Sequence, residues 1–276
     1  LYGVVNAVNN ASGADAGDKW NTASPVTICE ALPAIAGTTS MCVGGTTTLT
    51  HAASGGTWST VAGTGSVSLA ASGTTVTVTG VSAGTANVSY TTSCGAVGVT
   101  VTVQTTPAAI TGTASVCQAS GTTLSNSVAG GTWTTTAGSG SVTLSGPGTS
   151  VTVTGTTAGT ATVSYTIGSC SATRTVTVVA LPSAGTITGP SIACVGTGVG
   201  LSSSVSGGSW SVSGITGTAV PGSTGIITGL SAGTISVTYA VTSGGCSNFS
   251  TKPMTVNPTP GANTGTATLC VGGTTT

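Results

Sequence analysis

Charge is almost missing from this sequence. Of its 276 residues three are Lys or Arg, three are Asp or Glu and one is His. Charged side chains make up 2% of the chain, against about 25% in an ordinary soluble domain. Enzymes use carboxylates, histidines and lysines to move protons and hold metals. Residues 31–276 offer only His51, Arg174 and Lys252, so neither an enzyme nor a cofactor is expected. Nucleic acid is excluded by the same shortage, since binding phosphates needs clustered Lys and Arg. Calcium needs carboxylate oxygens, and residues 31–276 contain no Asp or Glu. Long apolar runs are also lacking. With no stretch of 18 or more such residues, direct membrane insertion through a helix is not expected. The opening LYGVVNAVNN has no initiator Met and no basic-then-apolar leader, which reads as an internal stretch of a longer polypeptide.

What the chain does have is 38% hydrophobic residues, positive mean hydropathy, 45 Gly and dense Val and Thr. That composition folds, and as β-structure. Eight cysteines with almost no His or acid partners point to disulfides and therefore to an extracellular or cell-surface, secreted protein.

A repeat dominates the sequence. Cys42, Cys117, Cys194 and Cys270 are separated by 75, 77 and 76 residues, and Cys94, Cys170 and Cys246 by 76 and 76. Sixteen residues after each of the first three comes a tryptophan: Trp58, Trp133 and Trp210. GGTW at 55–58 and 130–133 is matched by GGSW at 207–210, and SAGT at 82–85 and 231–234 by TAGT at 157–160. A period this long suits one small domain per copy. Turn residues divide the first copy into about seven alternating runs, at 34–43, 46–52, 57–61, 66–70, 74–79, 86–92 and 97–104. In the fifth, Val76 and Val78 face in while Thr75, Thr77 and Thr79 face out; in the sixth, Ala86, Val88 and Tyr90 face in. The expected fold class is all-β, with tandem seven-stranded immunoglobulin-like β-sandwiches in a linear array and a buried Trp on each third strand.

CVGGTTTLT at 42–50, GGTW and TGVSAGTANVSY at 79–90 resemble the bacterial immunoglobulin-like (Big) tandem-repeat family. The cysteine-bearing version in giant secreted surface adhesin and filament proteins of gliding Bacteroidetes-type bacteria is more similar still. The resemblance covers about residues 31–276. It implies sandwiches strung as a stalk, adhesin or filament, often exported by a type 9 system, with no catalytic residues. The extreme poverty of charge departs from the family pattern.

The copies are placed at 31–104, 105–179 and 180–257, with the start of a fourth at 258–276. Because VTICEALP at 26–33 matches VTVVALP at 176–182, residues 1–30 are read as the last strands of a preceding copy. They enclose a long hairpin loop carrying Asp15, Asp18, Lys19 and Trp20, a contact loop if the chain has one.

The cysteines allow two pairings. In an immunoglobulin-like unit the first strand carries Cys42 to the far end, while Cys94 lies in the last hairpin at the entry end. Their separation is roughly 13 residues of strand, or ~40 Å, whereas a disulfide needs Cα atoms within about 7 Å. Stacking the units head to tail instead favours Cys29–Cys94, Cys42–Cys170 and Cys117–Cys246, with Cys194 and Cys270 bonding to repeats beyond this sequence. The alternative set within units is Cys42–Cys94, Cys117–Cys170 and Cys194–Cys246, and the choice depends on the strand order.

Trp58, Trp133, Trp210, Tyr90, Tyr165 and Tyr239 recur in every copy, which favours core packing over sugar-stacking platforms. Trp20 is either a contact residue or a lid on its own unit. His51 is expected to be structural, and Lys252 has no acid to help it form an isopeptide bond. Rows such as TVTVT are ordinary outward β-surface or, alternatively, ice-binding or sugar-decorated faces. A surface with no charge lacks the repulsion that keeps proteins apart, so the expected partner is copies of the chain itself, in a fibre or sheath. The expected function is a structural segment of a giant extracellular filament or stalk, self-associating through its Thr/Ser/Gly surface. The alternative is an adhesin module recognising glycans or solid surfaces.

Overall fold

The computed structural model describes residues 29–214, 218–221 and 224–261. Asp15, Asp18, Lys19, Trp20, Cys270 and the strands expected within residues 1–28 lie outside the described residues.

In the first repeat the strands are β1 Ala36–Gly37, β2 Ser40–Cys42, β3 Thr46–Thr50, β4 Thr57–Ala62, β5 Ser66–Ser72, β6 Thr75–Ser82, β7 Gly84–Thr92 and β8 Gly95–Gln104. They form two four-stranded sheets, ordered β1-β3-β6-β5 and β2-β8-β7-β4. All pairs are antiparallel except β2 with β8. The second repeat has the same order with β9 Thr111–Gly112, β10 Ser115–Cys117, β11 Gly121–Ser125, β12 Thr132–Ala137, β13 Ser141–Ser145, β14 Ser150–Thr157, β15 Gly159–Ile167 and β16 Cys170–Val179. The fold is immunoglobulin-like.

The third repeat keeps the sheet β18-β25-β24-β21, formed by β18 Ile192–Cys194, β21 Ser209–Gly214, β24 Gly233–Ser243 and β25 Cys246–Asn257. Its other layer is divided. β17 Ile187–Thr188 pairs with β20 Ser202–Ser203, and β19 Gly198–Gly200 joins β22 Thr218–Pro221 and β23 Ile226–Ser231. The break falls at Leu201, whose N–H bonds to Gly225 O at 2.9 Å.

The alternation along the strands explains the cores. Val76, Val78, Ala86, Val88 and Tyr90 are buried, while Thr75, Thr77 and Thr79 turn to the other face. Each repeat has its own cluster: one around Leu49, Val78 and Val88, a second around Leu124, Val153 and Val163, and a third around Ile227, Ile235 and Val237. No cluster spans two repeats among the described residues.

Three expectations need correction. The run at 34–43 is two strands in different sheets, because the chain crosses between layers after Gly37. That residue has φ +134°, and a Cβ there would run into Thr48 O and the Leu49 side chain. The run at 46–52 ends at Thr50, where His51 turns into the interior. The tryptophans are half-buried and not enclosed. Trp58 is on β4, the last strand of its sheet, so a neighbour covers it on one side only; Tyr90 on the inner strand β7 is fully buried.

Candidate functional site

The features that join one repeat to the next are built from two strand ends and a hairpin. Cys42 closes β2 just before the Gly44-Gly45 turn, where Gly45 N–H returns to Cys42 O at 2.8 Å. Cys170 opens β16 at the tip of the last hairpin of the second repeat. The two are joined with their Cα atoms 5.8 Å apart. Cys117 and Cys246 occupy the same places one repeat on, at 5.7 Å, and Cys29 is joined to Cys94 at 5.2 Å. The first two bonds each connect successive sandwiches. Cys194, at the end of β18, holds the same place in the third repeat, is half-buried and has no disulfide partner among the described residues.

Around the first bond Gln104 makes a clamp. Standing at the end of β8, it donates from Nε2 to Ser40 Oγ at 2.8 Å within its own repeat. Its Oε1 accepts from Ser169 N–H at 2.6 Å and Ser169 Oγ at 3.1 Å in the next. The hairpin approaches so closely that a Cβ on Gly168 would collide with Gln104 Oε1. Val179 ends β16 as Gln104 ends β8, and a Cβ on Gly244 would lie 3.1 Å from its Cγ1. One junction is therefore polar at this point and the other apolar. The sequence reading missed Gln104; the signal was TVTVQTTP standing where the next copy has TVTVVALP.

The recurring aromatics are brought together in pairs, with ring centroids 4.8 Å apart for Trp58 and Tyr90 and 4.6 Å apart for both Trp133–Tyr165 and Trp210–Tyr239. Each tyrosine hydroxyl accepts the N–H of the second glycine of the GG motif: Gly56 at 2.9 Å, Gly131 at 2.9 Å and Gly208 at 2.7 Å. Tyr165 and Tyr239 also donate to Val128 O and Val205 O at 2.9 and 2.8 Å. Those glycines have no room for a Cβ, which would fall 2.5 Å from the tyrosine ring. The motif is thus a lid over the tyrosine. The tyrosine rings are enclosed and offer no face to a sugar, and each half-buried tryptophan is packed against one of them.

The polar interior residues also have structural partners. His51 Nε2 lies 3.0 Å from Pro33 O, and its Nδ1 accepts Ala53 N–H at 3.2 Å. Asn126 does the same work in the second repeat, donating to Ala108 O at 2.6 Å and accepting Val128 N–H at 3.0 Å. Ser203 does so in the third, through Ala184 O at 3.3 Å and Val205 N–H at 3.2 Å. This slot too went unread, although one polar residue recurs there in each copy. Arg174 donates to Ile110 O at 2.6 Å and Gly112 O at 2.7 Å, satisfying carbonyls where the chain crosses between sheets. Lys252 holds the corresponding register on β25, opposite Val237, and is half-buried.

No protein-family model and no curated protein matches the sequence. Among solved structures the chain is similar to invasin, a bacterial integrin-binding protein, at 16% identity and TM-score 0.40, covering 81% of this chain and 59% of that one. It therefore spans less than two thirds of that structure. An I-band fragment of titin is similar at 12% identity and TM-score 0.31, covering 80% and 95%. Domains 4 and 5 of the S-layer protein SbsC are similar at 18% identity and TM-score 0.24, covering 54% and 98%.

Proposed function

We propose that this chain is a load-bearing segment of a giant extracellular filament or stalk, secreted and displayed at a bacterial surface, and of the Big-type repeat family. The observation that carries the reading is the bonding of each sandwich to its neighbour through Cys42–Cys170 and Cys117–Cys246. A bond between neighbours restricts the hinge that a plain linker leaves open, and bonds of this kind persist in an oxidising compartment. The uncharged Thr/Ser/Gly exterior supports the second half of the reading, that copies of the chain pack against one another.

Electron microscopy of the purified, oxidised chain tests it. Straight fibres with an axial repeat of about 40 Å, from the length of a strand pair and its turns, are the expected result, becoming bent or dispersed when a reductant is added. Oxidised chains that remain separate and freely jointed would end this reading.

A further inference from the structure

The margins of the sandwiches are not equally open. β1, β2, β9 and β10 are two or three residues long. β5 and β13 are interrupted by bulges, at Ser66/Val67 and Ser141/Val142. β4 and β12, in contrast, each run six residues in unbroken register against β7 and β15. Short strands, bulges, lysines and prolines are what usually keep a sheet edge from pairing with another chain. The strands TWSTVA and TWTTTA have none of the four.

The direction of their free hydrogen-bonding groups follows from the ladder. Gly63 N–H bonds to Thr85 O at 3.1 Å, and Gly138 N–H to Thr160 O at 3.0 Å. Antiparallel pairs alternate between bonded and non-bonded. Counting back from these two bonds, Thr57, Ser59 and Val61, and likewise Thr132, Thr134 and Thr136, bond inward to the sheet. Trp58, Thr60 and Ala62, with Trp133, Thr135 and Ala137, therefore point their backbone N–H and C=O groups out of it. No turn or loop backbone group among the described residues bonds to these six.

We propose that β4 and β12 are docking edges for second copies of this chain, each adding the same strand antiparallel across a two-fold axis. The inference rests on the self-association reading above and gives it a surface. On β12, setting Thr135 opposite itself and Trp133 opposite Ala137 uses all three open residues of both copies. Thr134 then faces Thr136. The same arrangement on β4 sets Thr60 opposite itself and Ser59 against Val61, which at 69% is the most exposed large hydrophobic side chain among the described residues. Like charges set opposite one another would weaken such a pairing, and here there are none to oppose. Two-fold pairing at β12 reverses the direction of the second chain, so the β4 strands of the same two copies do not meet. Each edge recruits its own copy, and association grows instead of closing at a dimer.

The test uses sedimentation velocity on the full 276-residue chain over a range of concentrations, with far-UV circular dichroism to confirm folding. A Lys set, Ser59→Lys, Val61→Lys, Thr134→Lys and Thr136→Lys, alters only outward side chains and is expected to lower the association constant at least tenfold. Mixing it in equal amounts with the corresponding Glu set is expected to restore assembly. Lysines placed at Thr77, Thr79, Thr152 and Thr154, on the outward face of strands paired on both sides, are expected to have a much smaller effect. Thr134→Lys alone, expected to weaken association in part, keeps the test open should the full set fold poorly. Unchanged assembly of the Lys set, or no rescue by the Glu set, would overturn the edge inference while leaving self-association standing. A wild-type chain that stays monomeric throughout would overturn both.

Discussion

The two junctions of this chain share a covalent frame and differ in what surrounds it. Between the first and second repeats, Gln104 reaches across to Ser169 beside the Cys42–Cys170 bond. Between the second and third, Val179 stands in the place of Gln104, and its Cγ1 is what a Cβ on Gly244 would meet beside Cys117–Cys246. The Cα separations of the two disulfides agree to within 0.1 Å, at 5.8 and 5.7 Å. A bond of fixed geometry sets the spacing of successive hairpins, and the side chains beside it are then free to vary. The junction is therefore specified by its cysteines first and by its local chemistry second.

The largest effect expected is common to both junctions. Replacing Cys42 and Cys170 with Ser, or Cys117 and Cys246 with Ser, should destabilise the second repeat by ~2–4 kcal/mol per bond, because it takes part in both. Denaturant unfolding followed by tryptophan fluorescence in a background carrying Trp20→Phe, Trp58→Phe and Trp210→Phe measures this through Trp133, and a loss at one junction only would break the equivalence. Next in size are the hairpin glycines. Gly168 and Gly244 have nearly the same φ, +58° and +59°, so Ala at either should cost about 1–2 kcal/mol for its left-handed backbone. Gly168→Ala also displaces Gln104, and its excess over Gly244→Ala in the same unfolding experiment reports the clamp.

Smaller again is Gln104→Ala. It should destabilise the first junction by ~0.5–1.5 kcal/mol, seen as faster proteolysis between residues 104 and 111, while Val179→Ala leaves that segment unchanged. The smallest effect compares repeats instead of junctions. His51→Asn should shift the first repeat by less than about 1 kcal/mol, since Asn126 already fills the equivalent slot; a large loss of thermal stability would show that the imidazole does something the amide cannot.

Much of the architecture is readable in the sequence. Thr and Val alternating from Thr75 to Thr79 show which side chains face the core, because a strand's period of two leaves no other choice. What could not be read were properties of sheet order. Trp58 and Tyr90 are equally apolar in pattern, yet one is half-buried and the other enclosed, since β4 is a margin and β7 is not. Nothing local in residues 34–43 announces a crossing between layers, because what forbids a side chain at Gly37 is Thr48 on another strand. Gln104 reads as the polar end of a strand until the next repeat is set against it.

By itself the sequence determined the repeat, the two-faced strands and the scarcity of charge, since these follow from composition and from side-chain periodicity along one chain. Only the tertiary structure decided which strand margins stay open, which aromatic lies at the centre, and what Gln104 touches. Those depend on neighbours 15 to 65 positions away, such as Gly73 accepting from Trp58 and Ser169 donating to Gln104. No pattern within a single strand encodes what will lie beside it.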